Sequence, residues 1–118
     1  EQMILDVCVR MLQHLGYEAE AAADGAEAVE LYVAARAAGQ PFDAVILDIT
    51  VPGGMGGKQA LERLLKEDPD TRAIVSSGYS NDPIMADHQA HGFQGIAVKP
   101  YDIKALSQAL RTVLAGRV

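Results

Sequence analysis

An aspartate, a serine and a lysine in this chain share one local context. Asp48 follows Ala44-Val45-Ile46-Leu47, Ser77 follows Ala73-Ile74-Val75-Ser76, and Lys99 follows Ile96-Ala97-Val98. A short uninterrupted apolar run has the pattern of a strand buried on both faces, so each polar residue stands at the carboxyl end of such a strand. Brought to one edge, the three make a coherent phosphoryl site: the carboxylate attacks phosphorus, and the hydroxyl and ammonium partner the phosphoryl oxygens. A hard divalent cation is expected there to neutralise the accumulating negative charge. Taken singly, each residue reads more simply as a helix cap, a turn hydroxyl or a solvated charge. The functional reading rests on their joint placement at three successive strand ends.

The elements between these residues must deliver them to one edge. Ile4, Cys8, Met11, Leu12 and Leu15 recur at helical spacing, which predicts a helix over 2–15 with Gly16 at its C-cap. Tyr17, Ala19, Ala21 and Ala23 alternate with Glu18 and Glu20, the period of a half-buried strand. Asp24 caps a helix that runs to about Ala38, with Val29, Tyr32 and Val33 on one face, until Gly39, Gln40 and Pro41 stop it. After Asp48, a loop with Pro52, Gly53, Gly54, Gly56 and Gly57 leads into a helix bearing Leu61, Leu64 and Leu65, which ends before Pro69. Asp82-Pro83 opens a short helix over 83–91 closed by Gly92, and Asp102 opens a last helix with Ile103, Leu106, Leu110, Val113 and Leu114 inward. A helix followed by four strand-helix units predicts an α/β domain, a mostly parallel, doubly wound sheet with its site outside the carboxyl ends of the strands.

Composition narrows the function classes. The 118 residues suit one domain. A net charge of −6 excludes the basic footprint of a nucleic-acid binder, so no direct nucleic-acid contact is expected. No apolar run approaches the ~18 residues of a membrane span, so the domain is expected to make no membrane contact; its one cysteine, which cannot form an internal disulfide, points to a reducing, cytoplasmic setting, although a parent chain could be membrane-anchored. The single cysteine, Cys8, lies on the apolar face of the first helix and reads as a small core hydrophobe. His14, His88 and His91 are scattered and read as surface histidines.

The chain resembles the receiver domain of two-component signalling. The resemblance is carried by Ile46-Leu47-Asp48, by Pro52 with the glycine loop to Gly57, by Val75-Ser76-Ser77-Gly78-Tyr79 and by Val98-Lys99-Pro100-Tyr101, and it runs from Glu1 to Val118. Val51-Pro52-Gly53-Gly54-Met55-Gly56-Gly57 is particularly similar to receivers at the C-terminus of hybrid sensor histidine kinases. The resemblance implies a flavodoxin-like fold of strand order 2-1-3-4-5. It implies Asp48 as phosphoacceptor, Ser77 and Lys99 on the phosphoryl group, and Mg²⁺ held by Asp48 and the Thr50 backbone carbonyl. It also implies a cis peptide at Lys99-Pro100. The expected partner is a histidine kinase or a histidine phosphotransfer domain, a homodimer is compatible with the family, and the domain is not an enzyme in the usual sense, although it promotes formation and hydrolysis of its own acyl phosphate.

Two departures from the family pattern stand out. The first strand and the acidic pair at its end, counted back from Leu15-Gly16-Tyr17, fall immediately before Glu1, so residues 1–118 are expected to be an N-terminally incomplete receiver with further metal ligands before Glu1. The switch position three residues before the lysine, often Tyr or Phe, is Ile96, with neither ring nor hydroxyl. The resemblance further places Thr50 and Tyr79 beside the path of the attacking water, where neither orients it well, so hydrolysis is expected to be slow. The rival readings are a haloacid-dehalogenase-like phosphatase fragment, weakened by Thr50 in place of the second aspartate, and a degenerate receiver that binds partners without phosphorylation.

Overall fold

The computed structural model describes residues 2–22, 24–49, 54–78, 87–99 and 101–115, with backbone alone for residues 2–7. Helix α1 spans Gln2–His14, α2 Gly25–Ala37, α3 Gly57–Glu67 and α4 Ile103–Leu114. Strands β1 (Val45–Asp48), β2 (Ala73–Ser77) and β3 (Gly95–Val98) form a parallel sheet in the order β1-β2-β3. The register pairs Asp48 with Ser76 and Ser77 with Val98, so the polar ends of the three strands lie side by side.

Local chemistry fixes the helix ends. Gly16 adopts φ +95°, which only glycine takes readily, and Tyr17 N–H reaches back to the Leu12 carbonyl at 2.9 Å to close α1. The Asp24 carboxylate accepts from Glu27 N–H at 3.0 Å and the Asp102 carboxylate from Lys104 N–H at 2.9 Å, capping α2 and α4 as expected.

Two apolar layers flank the sheet. Ala60, Leu61 and Leu64 of α3 bury against Leu47, Ala73, Val75, Phe93 and Tyr32 of α2. On the opposite face Leu106, Leu110 and Val113 of α4, at i, i+4 and i+7, pack with Cys8 of α1, Ile74 and Ala97. β2 supplies both layers by alternation, Ala73 and Val75 to one and Ile74 to the other, and all five of its residues are buried. Away from the polar strand ends, Tyr32 OH donates to Asp68 Oδ2 at 2.8 Å and the buried Thr71 hydroxyl donates to the Asp68 carbonyl at 2.7 Å, which ties α2 to the end of α3.

Three expectations require correction. Residues 17–22 carry no strand: in the order 2-1-3-4-5 that segment pairs only with the first strand, and no described strand offers it a ladder partner. β3 is not buried on both faces, because Gly95 and Ala97 are covered while Ile96 and Val98 remain 40% and 39% exposed among the described residues. The helix over 83–91 is present in its described part only as a 3-10 turn, His88–His91, closed by Gly92 at φ +93°. Residues 83–86, Ala23, Thr50, Tyr79 and Pro100 lie outside the described residues.

Candidate functional site

The carboxyl edge is assembled by backbone bonds to β2. Ile49 N–H donates to the Ser76 carbonyl at 3.0 Å and Lys99 N–H to the Ser77 carbonyl at 2.8 Å, so the residues that follow β1 and β3 are both hung on the last two carbonyls of the central strand. Asp48 and Lys99 share the parity of Ile46 and Ala97, the α1/α4 side of the sheet. From there Lys99 Nζ meets Asp48 Oδ1 at 2.6 Å, with the two side chains 22% and 27% exposed. Ser77 ends the strand between them and is 8% exposed. Three residues that sequence spacing joined are thus brought to one edge.

The glycines before α3 have a role that reading them as loop did not find. A Cβ on Gly57 would stand 2.5 Å from the Asp48 carbonyl oxygen, and one on Gly56 would collide with the Ile49 carbonyl. The start of α3 therefore sits directly on the backbone that carries Asp48, a close approach open only to glycine. The signal was the Gly56-Gly57 pair itself, but a run of glycines does not say which of them meets backbone.

A second contact had no sequence signal. Ser76 Oγ and Tyr101 OH lie 2.6 Å apart, and Ser76 is fully buried. Burial pushes the Tyr101 phenol up to about 12; the bond to Ser76 works against that, and the Asp48 charge adds to it. Burial likewise raises the Cys8 thiol, with Asp48 adding to the effect and Lys99 opposing it. Cys8, 8% exposed, belongs to the α4 layer as the core hydrophobe expected.

A divalent cation at this edge needs several oxygen ligands. Among the described residues no group of three or more His, Cys, Asp or Glu side chains could hold a metal, and the carboxylate at the site is already paired with Lys99. These residues by themselves do not make a complete cation site.

Comparison with known proteins bears on the whole arrangement. The sequence profile of the response regulator receiver domain matches residues 1–111. The chain belongs to that family. The receiver is 34% identical over 106 residues to the sensor kinase CckA of Brucella abortus, covering 90% of this chain and 11% of CckA. It is 32% identical over 106 residues to the chemotaxis protein CheY of Treponema pallidum, covering 89% of this chain and 71% of CheY. Among solved structures, the CheY of Borrelia burgdorferi in its complex with CheX, BeF₃ and Mg²⁺ superposes with a TM-score of 0.83 at 27% identity, covering 96% of this chain and 82% of that one. The receiver domain of the sensor histidine kinase PA1611 of Pseudomonas aeruginosa, solved with magnesium in its active-site cleft, has the same fold, with a TM-score of 0.83 at 20% identity over 98% of this chain and 92% of that one. The receiver fold is therefore shown, and with it membership of a family of two-component signalling modules. No helix among the described residues is long and apolar enough to cross a membrane.

Proposed function

We propose that residues 1–118 act as one receiver module that takes a phosphoryl group from phosphohistidine onto Asp48. A carboxylate oxygen of Asp48 attacks phosphorus, the P–N bond of the donor breaks, and the imidazole leaves as its nitrogen regains a proton. The product is an acyl phosphate, which water later cleaves to carboxylate and inorganic phosphate. Lys99, now 2.6 Å from Asp48, moves its ammonium onto the phosphoryl oxygens as their charge builds, and Ser77 donates its hydroxyl to one of them. The observation that carries the reading is this ion pair across the ends of β1 and β3, with Ser77 on the strand between.

Mg²⁺ would draw on Asp48 and the Thr50 carbonyl, with further ligands from outside the described residues, and would supply charge neutralisation. Tyr79 would shield the acyl phosphate from water. The phosphoryl donor would be a histidine kinase or a histidine phosphotransfer domain, and the likeness to CckA and to the PA1611 receiver favours a hybrid sensor kinase as the parent, with this module on its cytoplasmic side. The test is phosphorylation by acetyl phosphate with Mg²⁺ and by a panel of histidine kinases, followed by mapping of the adduct by mass spectrometry. The adduct is expected on Asp48 and absent from Asp48→Asn; label retained by that variant, or no label from any of these donors, sinks the assignment.

A further inference from the structure

The proposed phosphotransfer leaves Ser76 and Tyr101 without a task, yet Ser76 is the strand neighbour of its nucleophile and is joined to Tyr101. Ser76 is paired in register with Asp48 on one side and Ala97 on the other, and it faces the α1/α4 layer. Its partner Tyr101 stands immediately before Asp102, whose carboxylate caps α4 through Lys104 N–H and whose carbonyl accepts from Leu106 N–H at 2.9 Å. The bond of 2.6 Å therefore ties the strand beside Asp48 to the first turn of a helix. Ile96 cannot make such a link, because it lies on the other face of β3 and has no polar atom.

Either hydroxyl can be the donor, so the hydrogen bond can run from Ser76 to Tyr101 or the reverse, and a nearby charge favours one direction. Phosphorylation changes that charge. A carboxylate paired with Lys99 becomes a neutral acyl oxygen bearing a more highly charged phosphoryl group farther out, and Lys99 follows the new charge.

We propose that Ser76 and Tyr101 are the positioning pair through which the phosphorylation state of Asp48 is passed to the N-terminal turn of α4. The proposal rests on Asp48 being the phosphoacceptor.

The chain has four tyrosines, Tyr17, Tyr32, Tyr79 and Tyr101, so fluorine NMR of the whole chain labelled with 3-fluorotyrosine, assigned by Tyr→Phe variants, can follow Tyr101 alone. On phosphorylation with acetyl phosphate and Mg²⁺ the Tyr101 resonance should move while that of Tyr32, in the opposite layer, stays in place. Ser76→Ala should lose at least half of that movement and Ser76→Thr should restore it. Should Ser76→Ala fail to fold, Tyr101→Phe gives the second reading: the amide resonances of Lys104 and Leu106 should respond to phosphorylation in the parent and lose that response in the variant. A Tyr101 resonance that stays put while mass spectrometry shows the adduct on Asp48, or a full response in Ser76→Ala or Tyr101→Phe, overturns the pairing role. Absence of the adduct overturns the phosphoacceptor reading and this inference with it.

Discussion

Gly57→Ala sets two opposing effects against each other at the foot of the site. Alanine favours a helix interior over glycine by up to about 1 kcal/mol, and less in the first turn, where Gly57 begins α3. Against this, the added Cβ would stand 2.5 Å from the Asp48 carbonyl oxygen and 3.1 Å from Leu47 Cβ. A relaxed carbon-to-oxygen contact is roughly 3.3 Å, so the helix start must retreat by roughly 0.8 Å from a strand end held on β2. Forcing a methyl group into a packed site costs roughly 1–3 kcal/mol, so the clash outweighs the propensity and the variant should be less stable by about 1 kcal/mol or more. Whatever part of that 0.8 Å the helix does not absorb moves the backbone that carries Asp48, and misplacement on this scale should slow phosphorylation by acetyl phosphate by about tenfold. Urea unfolding followed by circular dichroism gives the first quantity, and the initial rate of adduct formation the second. Gln59→Ala, on the exposed side of the same helix, reports propensity without the clash and should be neutral or slightly stabilising. If Gly57→Ala is as stable as the parent and is phosphorylated at the same rate, the close packing of α3 on the Asp48 backbone is refuted.

Three further outcomes follow from the geometry. A double-mutant cycle on Asp48→Asn and Lys99→Met should give a coupling of about 1 kcal/mol, between the values for exposed and buried pairs, and it should shrink in high salt; a coupling indistinguishable from zero at low salt would show that the pair does not hold the edge together. Tyr32→Phe removes the donor to Asp68 and should cost about 1.5 kcal/mol in urea unfolding, whereas an unchanged midpoint would mean that Asp68 finds another donor at no loss. Because Tyr101 is raised from 10.0 to about 12 in the folded chain, the unfolded chain releases that proton first, so stability is complete below pH 10 and falls between pH 10 and 12. Tyr101→Phe should flatten that fall, and identical slopes in the two proteins would contradict the shift.

The parts of the fold that the sequence made legible were those with a local cause. Asp24 and Asp102 cap helices through their own carboxylates, Gly16 and Gly92 take positive φ, and Leu106, Leu110 and Val113 lie on one face of α4, all properties of neighbouring residues. Asp48, Ser77 and Lys99 were legible jointly because a parallel sheet brings strand ends together whatever lies between them. The errors arose where pairing or coverage comes from distant chain. Tyr17 to Ala23 has the alternation of a strand, yet alternation supplies no ladder partner, and Ile96-Ala97-Val98 reads as continuously apolar although among the described residues only Ala97 of the three belongs to a buried core cluster. The Ser76–Tyr101 bond and the contact of Gly57 with the Asp48 backbone depend on the distance between elements far apart in sequence, and no spacing rule encodes it.

The alternation of β2 has a consequence for how the molecule opens. Each of the two apolar layers is anchored on β2 through different residues, Ala73 and Val75 for one and Ile74 for the other, so separating α1 and α4 from the sheet leaves the packing of α2 and α3 on the opposite face in place. The layers are then expected to open as two partial units, with β2 the last element to lose its protection. Amide hydrogen exchange should then sort into three classes: one for the helices of each layer and a slowest class on the central strand. Asp48 and Lys99 stand at the carboxyl edge on the α1/α4 side of the sheet, so a partner that loosens that layer would disturb the phosphoryl site without melting the other half of the domain.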